Sequence, residues 1–196
     1  IIVKAVDQNT SFVTLDGVKR KLDSEDLMIC DHEKPLCIAG VFGGVDSGVS
    51  ETTSSIFLES AYFDPVSVRK SAKRHGLNTD ASFRFERGID PDLTEYALKY
   101  ASNMIVELTG GVIKDEIYEV ISELPKAPKF ILKYDDINKT IGQEISKEDI
   151  SKILHGLEII IKHSDEDGLL IEIPRYRVDV TRPADVIEEI LRIYGY

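Results

Sequence analysis

The stretch Ile56-Phe-Leu-Glu-Ser-Ala-Tyr-Phe-Asp-Pro-Val-Ser-Val-Arg-Lys-Ser-Ala-Lys-Arg-His-Gly76 changes its pattern halfway along. Residues 56–61 are a short apolar run of the kind a buried strand shows. Asp64-Pro65 then reads as a helix start, because the Asp side chain can accept from a free backbone N–H and proline has no N–H to lose at the first helical position. Gly76 supplies the left-handed residue that ends such a helix, so 65–75 is expected to be helical. Strand and helix in succession point to an α+β protein.

The pattern upstream is all strand. Phe12-Val-Thr-Leu-Asp-Gly-Val-Lys-Arg-Lys-Leu22 places Asp16-Gly17 between two alternating runs, and Asp-Gly tolerates the positive φ angles that a tight type I′ hairpin turn requires. Leu27 to Cys30 and Leu36 to Val41 are two further apolar runs around Asp-His-Glu-Lys-Pro. The glycine-rich Gly40-Val-Phe-Gly-Gly-Val-Asp-Ser-Gly48 lacks a phosphate-loop Lys and a following helix start, which excludes nucleotide binding there. Its glycines suit close backbone approach to another chain or a ligand.

Downstream, Asp90-Pro91 repeats the helix-start signal, and Leu93, Ala97, Tyr100, Ala101, Met104 and Leu108 share one face before Gly110-Gly111. Residues 112–121 read as a strand. Glu123-Leu-Pro-Lys-Ala-Pro128 resembles a stiff linker, dividing a sheet-rich domain with packed helices over 1–124 from a small α/β domain over 125–196. In the second domain Ser146 can cap a helix ending at Gly156, Leu157–Lys162 and Leu169–Ile173 read as strands around Asp165-Glu-Asp-Gly168, and a last helix spans 184–194.

Composition limits the partners. Of 196 residues, 24 are Lys or Arg and 35 Asp or Glu, a net charge of −11, so nucleic acid cannot be held by bulk electrostatics. Any RNA contact must be local, and residues 69–87 offer Arg69, Lys70, Lys73, Arg74, Arg84 and Arg87 against Asp80 and Glu86. These cations either complement the helix dipole and water or form a phosphate-contacting patch. No apolar run approaches the ~20 residues of a membrane span. The first residue, Ile1, is neither an initiator Met nor part of a signal peptide, which suggests excision from something longer. Cys30 and Cys37 form no disulfide framework and lack zinc or redox spacing, consistent with a cytoplasmic protein.

Two groups of acids invite chemistry. Glu59, in the apolar run, either faces water or a basic neighbour, or reads a ligand at a pocket edge. Asp179, Asp185, Glu188 and Glu189 cluster around the start of the last helix, where they either favour the positive helix end or hold a hard cation such as Mg²⁺.

Three ordered motifs, Ala39-Gly-Val-Phe-Gly-Gly44, Leu58-Glu-Ser-Ala-Tyr-Phe-Asp-Pro65 and Arg74-His-Gly-Leu-Asn-Thr-Asp-Ala-Ser-Phe-Arg-Phe-Glu-Arg-Gly-Ile-Asp-Pro91, resemble the β subunits of bacterial phenylalanyl-tRNA synthetases. Pro174-Arg-Tyr-Arg-Val-Asp-Val180 and Asp185-Val-Ile-Glu-Glu-Ile-Leu-Arg-Ile-Tyr-Gly-Tyr196 extend the resemblance through the second domain. It implies most of a tRNA-editing domain followed by a small domain similar to winged-helix or DNA-binding folds. The implied activity is hydrolysis of tyrosine mistakenly attached to tRNA(Phe), in support of aminoacylation by a parent ATP-dependent ligase. Glu59 would recognise the tyrosine hydroxyl, with Gly43, Thr79 and Ala81 lining the pocket. The resemblance also implies Mg²⁺ at Asp179, Asp185, Glu188 and Glu189, shared with a catalytic α subunit. The implied partners are that α subunit, tRNA(Phe) and mischarged tyrosyl-tRNA, with no membrane. Phe83 stands where relatives often carry His, which removes a hydrogen-bonding group, and part of the pocket is expected to lie before Ile1, leaving the isolated piece inactive. The rival reading is a non-catalytic RNA or protein interaction module in which Glu59 is merely solvated.

Overall fold

A computed structural model describes residues 1–195. It is a mixed α+β structure of nine strands and six α-helices among the described residues, and it divides into two units, 1–116 and 117–196. The sequence reading puts the boundary at 124/125, at the proline-rich linker.

In the first unit an antiparallel sheet runs in the order β1 (Ile2–Ala5), β4 (Leu27–Cys30), β5 (Pro35–Ile38), β6 (Phe42–Gly43). The Asp16-Gly17 hairpin forms as β2 (Ser11–Val13) paired with β3 (Lys19–Lys21), but not through a type I′ turn: only Gly17 is left-handed, at φ +76°, and the Thr14 amide closes a wider loop on the Val18 carbonyl at 3.2 Å. Thr14 of this hairpin bridges Gly44, tying it to the glycine-rich stretch. The core joins Phe12 and Leu22 of the hairpin, Met28, Cys30, Ile38 and Val41 of the sheet region, and Phe63, Val68 and Ala72. The last two sit on α1 (Pro65–His75), which begins and ends where its signals place it: Asp64 accepts from the Ser67 amide at 2.7 Å and Gly76 turns left-handed at φ +62°.

A short helix, α2 (Asp80–Phe85), has too few residues to show periodicity and escapes the sequence reading; Thr79 caps it by accepting from the Ser82 amide at 3.0 Å. The Asp90-Pro91 signal opens a 3-10 turn, and the helix itself is α3 (Thr94–Thr109). Two expected strands, 56–61 and 112–121, have no regular structure here. The physical reason is the same for both: a strand needs a neighbour to take its backbone hydrogen bonds, and no strand pairs with either segment among the described residues.

The second unit is a three-stranded antiparallel sheet, β7 (Lys129–Lys133), β9 (Gly168–Glu172), β8 (Ile160–Ser164) in spatial order. It is covered by α4 (Tyr134–Ile141), α5 (Lys147–Gly156) and α6 (Pro183–Tyr194). Leu132, Ile137, Ile150, Leu154, Leu169, Ile171 and Ile190 make a closed apolar core. Ser146 caps α5 as its sequence predicts, accepting from the Asp149 amide. Strand β7 and helix α4 are absent from the sequence reading. The winged-helix likeness is not confirmed. No described helix is long and apolar enough to cross a membrane.

Candidate functional site

Strand β5 is the hub of the first unit's candidate site. Cys37 on β5 pairs across the ladder with Gly43 on β6. The Glu59 carboxylate lies close enough to the Cys37 thiol that its charge, added to burial, pushes that thiol up to about 11. Glu59 is exposed as a residue, yet its carboxyl group is crowded by protein atoms, and this desolvation raises its pKa. No hydrogen bond or ion pair to the Glu59 side chain offsets that among the described residues.

Thr79 reaches the same strand pair from the other side in sequence. Its hydroxyl donates to the Val41 carbonyl at 2.6 Å, two residues before Gly43, while the same oxygen accepts from Ser82 to cap α2. Ala81 is then fixed on the first turn of α2, exposed to solvent. Gly43 and Thr79 are therefore each fixed to the β5–β6 hairpin, Ala81 follows from the Thr79 cap, and the Glu59 charge is near enough to be felt at Cys37. Phe83 is half exposed, with the Arg87 guanidinium 3.6 Å above its ring.

The glycines of this hairpin are demanded by packing. A Cβ on Gly44 would sit 2.7 Å from the Phe12 ring and 2.8 Å from the Leu36 carbonyl oxygen. Gly40 combines φ +67° with the side chains of Phe63, Val68 and Phe85, which would lie 3.1 to 3.2 Å from any Cβ added there.

Beneath α1 lies a polar cluster that the sequence reading misses. Asp26, fully buried, accepts from the Asp23 amide (2.8 Å), the Ser71 hydroxyl (2.7 Å) and the Arg74 guanidinium (2.6 Å), and one of its oxygens is 2.6 Å from His75 Nε2. Burial alone would raise the Asp26 pKa, but the Asp23, His75 and Ser71 hydrogen bonds outweigh it and hold the group below the usual carboxylate value. Arg20 donates to the His75 carbonyl at 2.6 Å, locking the end of α1 just before the turn that leads to Thr79. Arg74 is thus committed to this acidic cluster, with Glu25 also at 2.7 Å, although it remains an exposed residue, which leaves fewer unpaired cations than the sequence suggests. Lys70 faces Glu25 at 3.8 Å, whereas Arg69 and Lys73 are exposed. The only local sign of this cluster is the Arg-His pair at the helix end; its acceptor lies far away in sequence.

In the second unit the four acids around α6 do not converge. Asp179 takes a two-pronged contact from Arg177 at 2.8 and 3.0 Å, which holds its pKa down. Asp185 is lowered to about 2 by the Arg182 side chain first and then by the Thr181 and Arg182 amides, which it accepts at the start of the helix. Glu189 is nearly buried between Arg192 at 2.6 Å and Arg177 at 3.4 Å, and Glu188 points to solvent. No three His, Cys, Asp or Glu side chains among the described residues are grouped to hold a metal. Carboxylates already neutralised by arginines are a poor set for Mg²⁺, so this arrangement does not fit the ion. A shallow depression in this unit, lined by Ile131, Lys133, His163, Asp165 and Leu170, contains none of the expected site residues.

Comparison with known proteins follows the same division. Residues 1–110 match the B3/4 domain and residues 130–196 the tRNA synthetase B5 domain. The chain is 56% identical to the phenylalanine–tRNA ligase beta subunit of Bacteroides fragilis, over 100% of this chain and 24% of that protein. The beta subunits of Bacteroides thetaiotaomicron and Porphyromonas gingivalis are 55% and 52% identical, over 100% and 99% of this chain and 24% of each. The chain thus spans about a quarter of the length of these curated relatives. In fold it resembles the crystal structure of an N-terminal fragment of the phenylalanyl-tRNA synthetase beta-subunit from Pyrococcus horikoshii. That match has a TM-score of 0.51 at 15% identity and covers 99% of this chain and 56% of the other. The chain belongs to the B3/4 domain family, continues into a tRNA synthetase B5 domain, and is similar from end to end to a segment of phenylalanine–tRNA ligase beta subunits.

Proposed function

We propose that this chain is a segment of a phenylalanine–tRNA ligase beta subunit and that its first unit contributes to hydrolytic editing of tyrosine mistakenly attached to tRNA(Phe). The observation that carries the reading is the Glu59 carboxyl group: partly desolvated, without a donor of its own, and close enough for its charge to act on Cys37 of the hairpin that carries Gly43 and accepts Thr79. Tyrosine and phenylalanine differ by one hydroxyl. A small pocket discriminates weakly by size but strongly by a placed acceptor. Tyrosine would donate its hydroxyl to Glu59, whereas phenylalanine would leave a desolvated carboxyl unpaired, a penalty of about 1 to 3 kcal/mol or more.

Ester hydrolysis itself needs a nucleophile. Cys37 is unsuited, since its thiol is pushed up to about 11, and His75 is committed to Asp26. A water molecule adds to the acyl carbon, and the ribose oxygen leaves with a proton, releasing free tyrosine and tRNA. Glu59 serves selectivity, Gly43 lets backbone approach the substrate, and Thr79 and Ala81 shape the pocket.

The partners in this reading are the catalytic α subunit and tRNA(Phe), the latter approached through the exposed Arg69 and Lys73. Shared Mg²⁺ draws no support from the arginine-paired acids around α6, so no step is assigned to it. A second reading, a non-catalytic docking module, is favoured by the exposure of Glu59 and Ala81 in this chain. Hydrolysis of tyrosyl-tRNA(Phe) by the full two-subunit enzyme separates them: Glu59→Ala, which removes the acceptor altogether, is expected to erase the preference for tyrosyl over phenylalanyl ester. Unchanged rate and selectivity would leave the docking reading.

A further inference from the structure

Arg20, on β3, engages every nitrogen of its guanidinium. Nε donates to the Thr14 hydroxyl at 2.9 Å, Nη1 to the His75 carbonyl at 2.6 Å and Nη2 to the Asp16 carboxylate at 2.8 Å. Its side chain is 14% exposed, so it is not a solvated cation free to meet a phosphate. The acceptors belong to two different parts of the candidate site. Thr14 stands beside the glycine-rich stretch: it bridges Gly44, and the next residue, Leu15, donates its amide to the Gly43 carbonyl at 3.0 Å. The Leu15 side chain is also what a Cβ on Gly43 would meet, at 3.1 Å. The β2–β3 hairpin is therefore the backing of Gly43. His75 ends α1, four residues before Thr79; between them Gly76 turns left-handed and the Leu77 amide bonds back to the Ala72 carbonyl at 2.9 Å. Fixing the His75 carbonyl thus fixes where the backbone sets off toward Thr79 and Ala81.

The two parts already meet once, where the Thr79 hydroxyl donates to the Val41 carbonyl at 2.6 Å. One contact leaves a pivot, and a second elsewhere along the same two segments removes it. Arg20 supplies the second, so that the contacts close into a ring from Thr14 and Gly44 through Val41 and Thr79 to His75 and back. A planar fork suits this task, because its N–H groups point in fixed directions and cannot turn independently. Asp16 steadies the fork: one of its oxygens takes Nη2, and the other accepts from the Thr14 hydroxyl at 2.5 Å. We propose that Arg20 is a positioning residue of the editing site, setting the spacing between Gly43 and the turn that carries Thr79 and Ala81. Its effect on hydrolysis rests on the editing reading; the brace itself rests on the hydrogen bonds alone.

The test uses the full two-subunit enzyme with two variants. Arg20→Lys keeps the charge but loses the fork, and Thr14→Val keeps the shape but loses the hydroxyl. Both are expected to lower kcat/KM for tyrosyl-tRNA(Phe) hydrolysis roughly 10- to 100-fold, the loss falling on kcat with KM little moved. Thr14→Ser, which keeps the hydroxyl, is expected to hydrolyse like the native enzyme. Hydrogen exchange in the two impaired variants is expected to quicken together in peptides 14–18 and 77–82, while β4 and the body of α1 stay protected. Unchanged hydrolysis in Arg20→Lys, beside a loss of tyrosyl preference in Glu59→Ala, would overturn the proposal and leave the editing reading standing. Exchange that quickens in one segment alone, or throughout the first unit, would overturn it as well, since Arg20 would then be an ordinary structural contact. Should Glu59→Ala be equally silent, the editing reading fails and the role of Arg20 in it falls too.

Discussion

Replacing Asp26 by Asn tests whether the buried cluster under α1 holds the first unit together. The aspartate accepts from three donors at 2.6 to 2.8 Å and meets a fourth partner, His75 Nε2, at 2.6 Å. Asn retains one acceptor oxygen and turns an NH₂ group toward the other two donors, so about two hydrogen bonds are lost in a fully buried place. At about 1 to 3 kcal/mol for each group left unsatisfied, with Arg74 still relieved by Glu25 at 2.7 Å, the loss is about 3 kcal/mol. Hydrogen exchange of the 1–196 chain in low denaturant should show it as a roughly hundredfold rise in opening of β4 and α1. Peptides from β9, in the other unit, serve as the internal control. The pH dependence supplies a second check. Asp26 is depressed in the folded state, so its contribution is complete above its unfolded value of about 3.9 and is lost as pH falls through the lower folded value. The gap between wild type and Asp26→Asn should accordingly narrow as pH falls below about 4. A deficit under about 1 kcal/mol, or one that persists unchanged into acid, would refute the assignment of a charged, hydrogen-bonded Asp26.

Other perturbations read different parts of the molecule. Gly44→Ala forces a methyl against the Phe12 ring and the Leu36 carbonyl and should cost about 1 to 3 kcal/mol, measured by urea unfolding. Asp64→Ala removes the α1 cap and should cost about 1 kcal/mol, visible as faster exchange at Ser67 and its neighbours. The Asp185 carboxyl should titrate near 2 by NMR, and Arg182→Gln should move that midpoint upward, because the Arg182 side chain is the main cause of the depression. Millimolar Mg²⁺ or a chelator should leave exchange at residues 177–190 of the 1–196 chain unchanged; protection that depends on the ion would show that the acids rearrange to bind it.

What can be read in the sequence is what short-range chemistry decides. Asp16-Gly17, Asp64-Pro65 with Gly76, and Ser146 each fix a turn or helix end through atoms within a few residues, and each forms where expected. The Thr79 cap is equally local but announces a six-residue helix, too short for an apolar period to confirm it. Asp26 is invisible because its partners Ser71, Arg74 and His75 lie on an element brought to it only by folding. The same limit works in reverse at 56–61 and 112–121, where the strand pattern is present but nothing among the described residues pairs with it. For the candidate site, the residue types at 43, 59, 79 and 81 come from resemblance; the attachment of Gly43 and Thr79 to one hairpin, and the nearness of the Glu59 charge to Cys37, emerge only once the chain is folded. The acids of α6 illustrate a further gap, since sequence spacing puts carboxylates together without showing that Arg177, Arg182 and Arg192 claim them.

The two thiols have a practical corollary for bench work. Cys30 is sealed in the core, and burial with the nearby Glu59 charge pushes the Cys37 thiol up to about 11, so little of it is in the thiolate form that reacts with maleimides at neutral pH. The native sequence is therefore a quiet background for site-directed labelling: a fluorophore or spin probe can be attached to a cysteine introduced on the surface without first removing the two it already has.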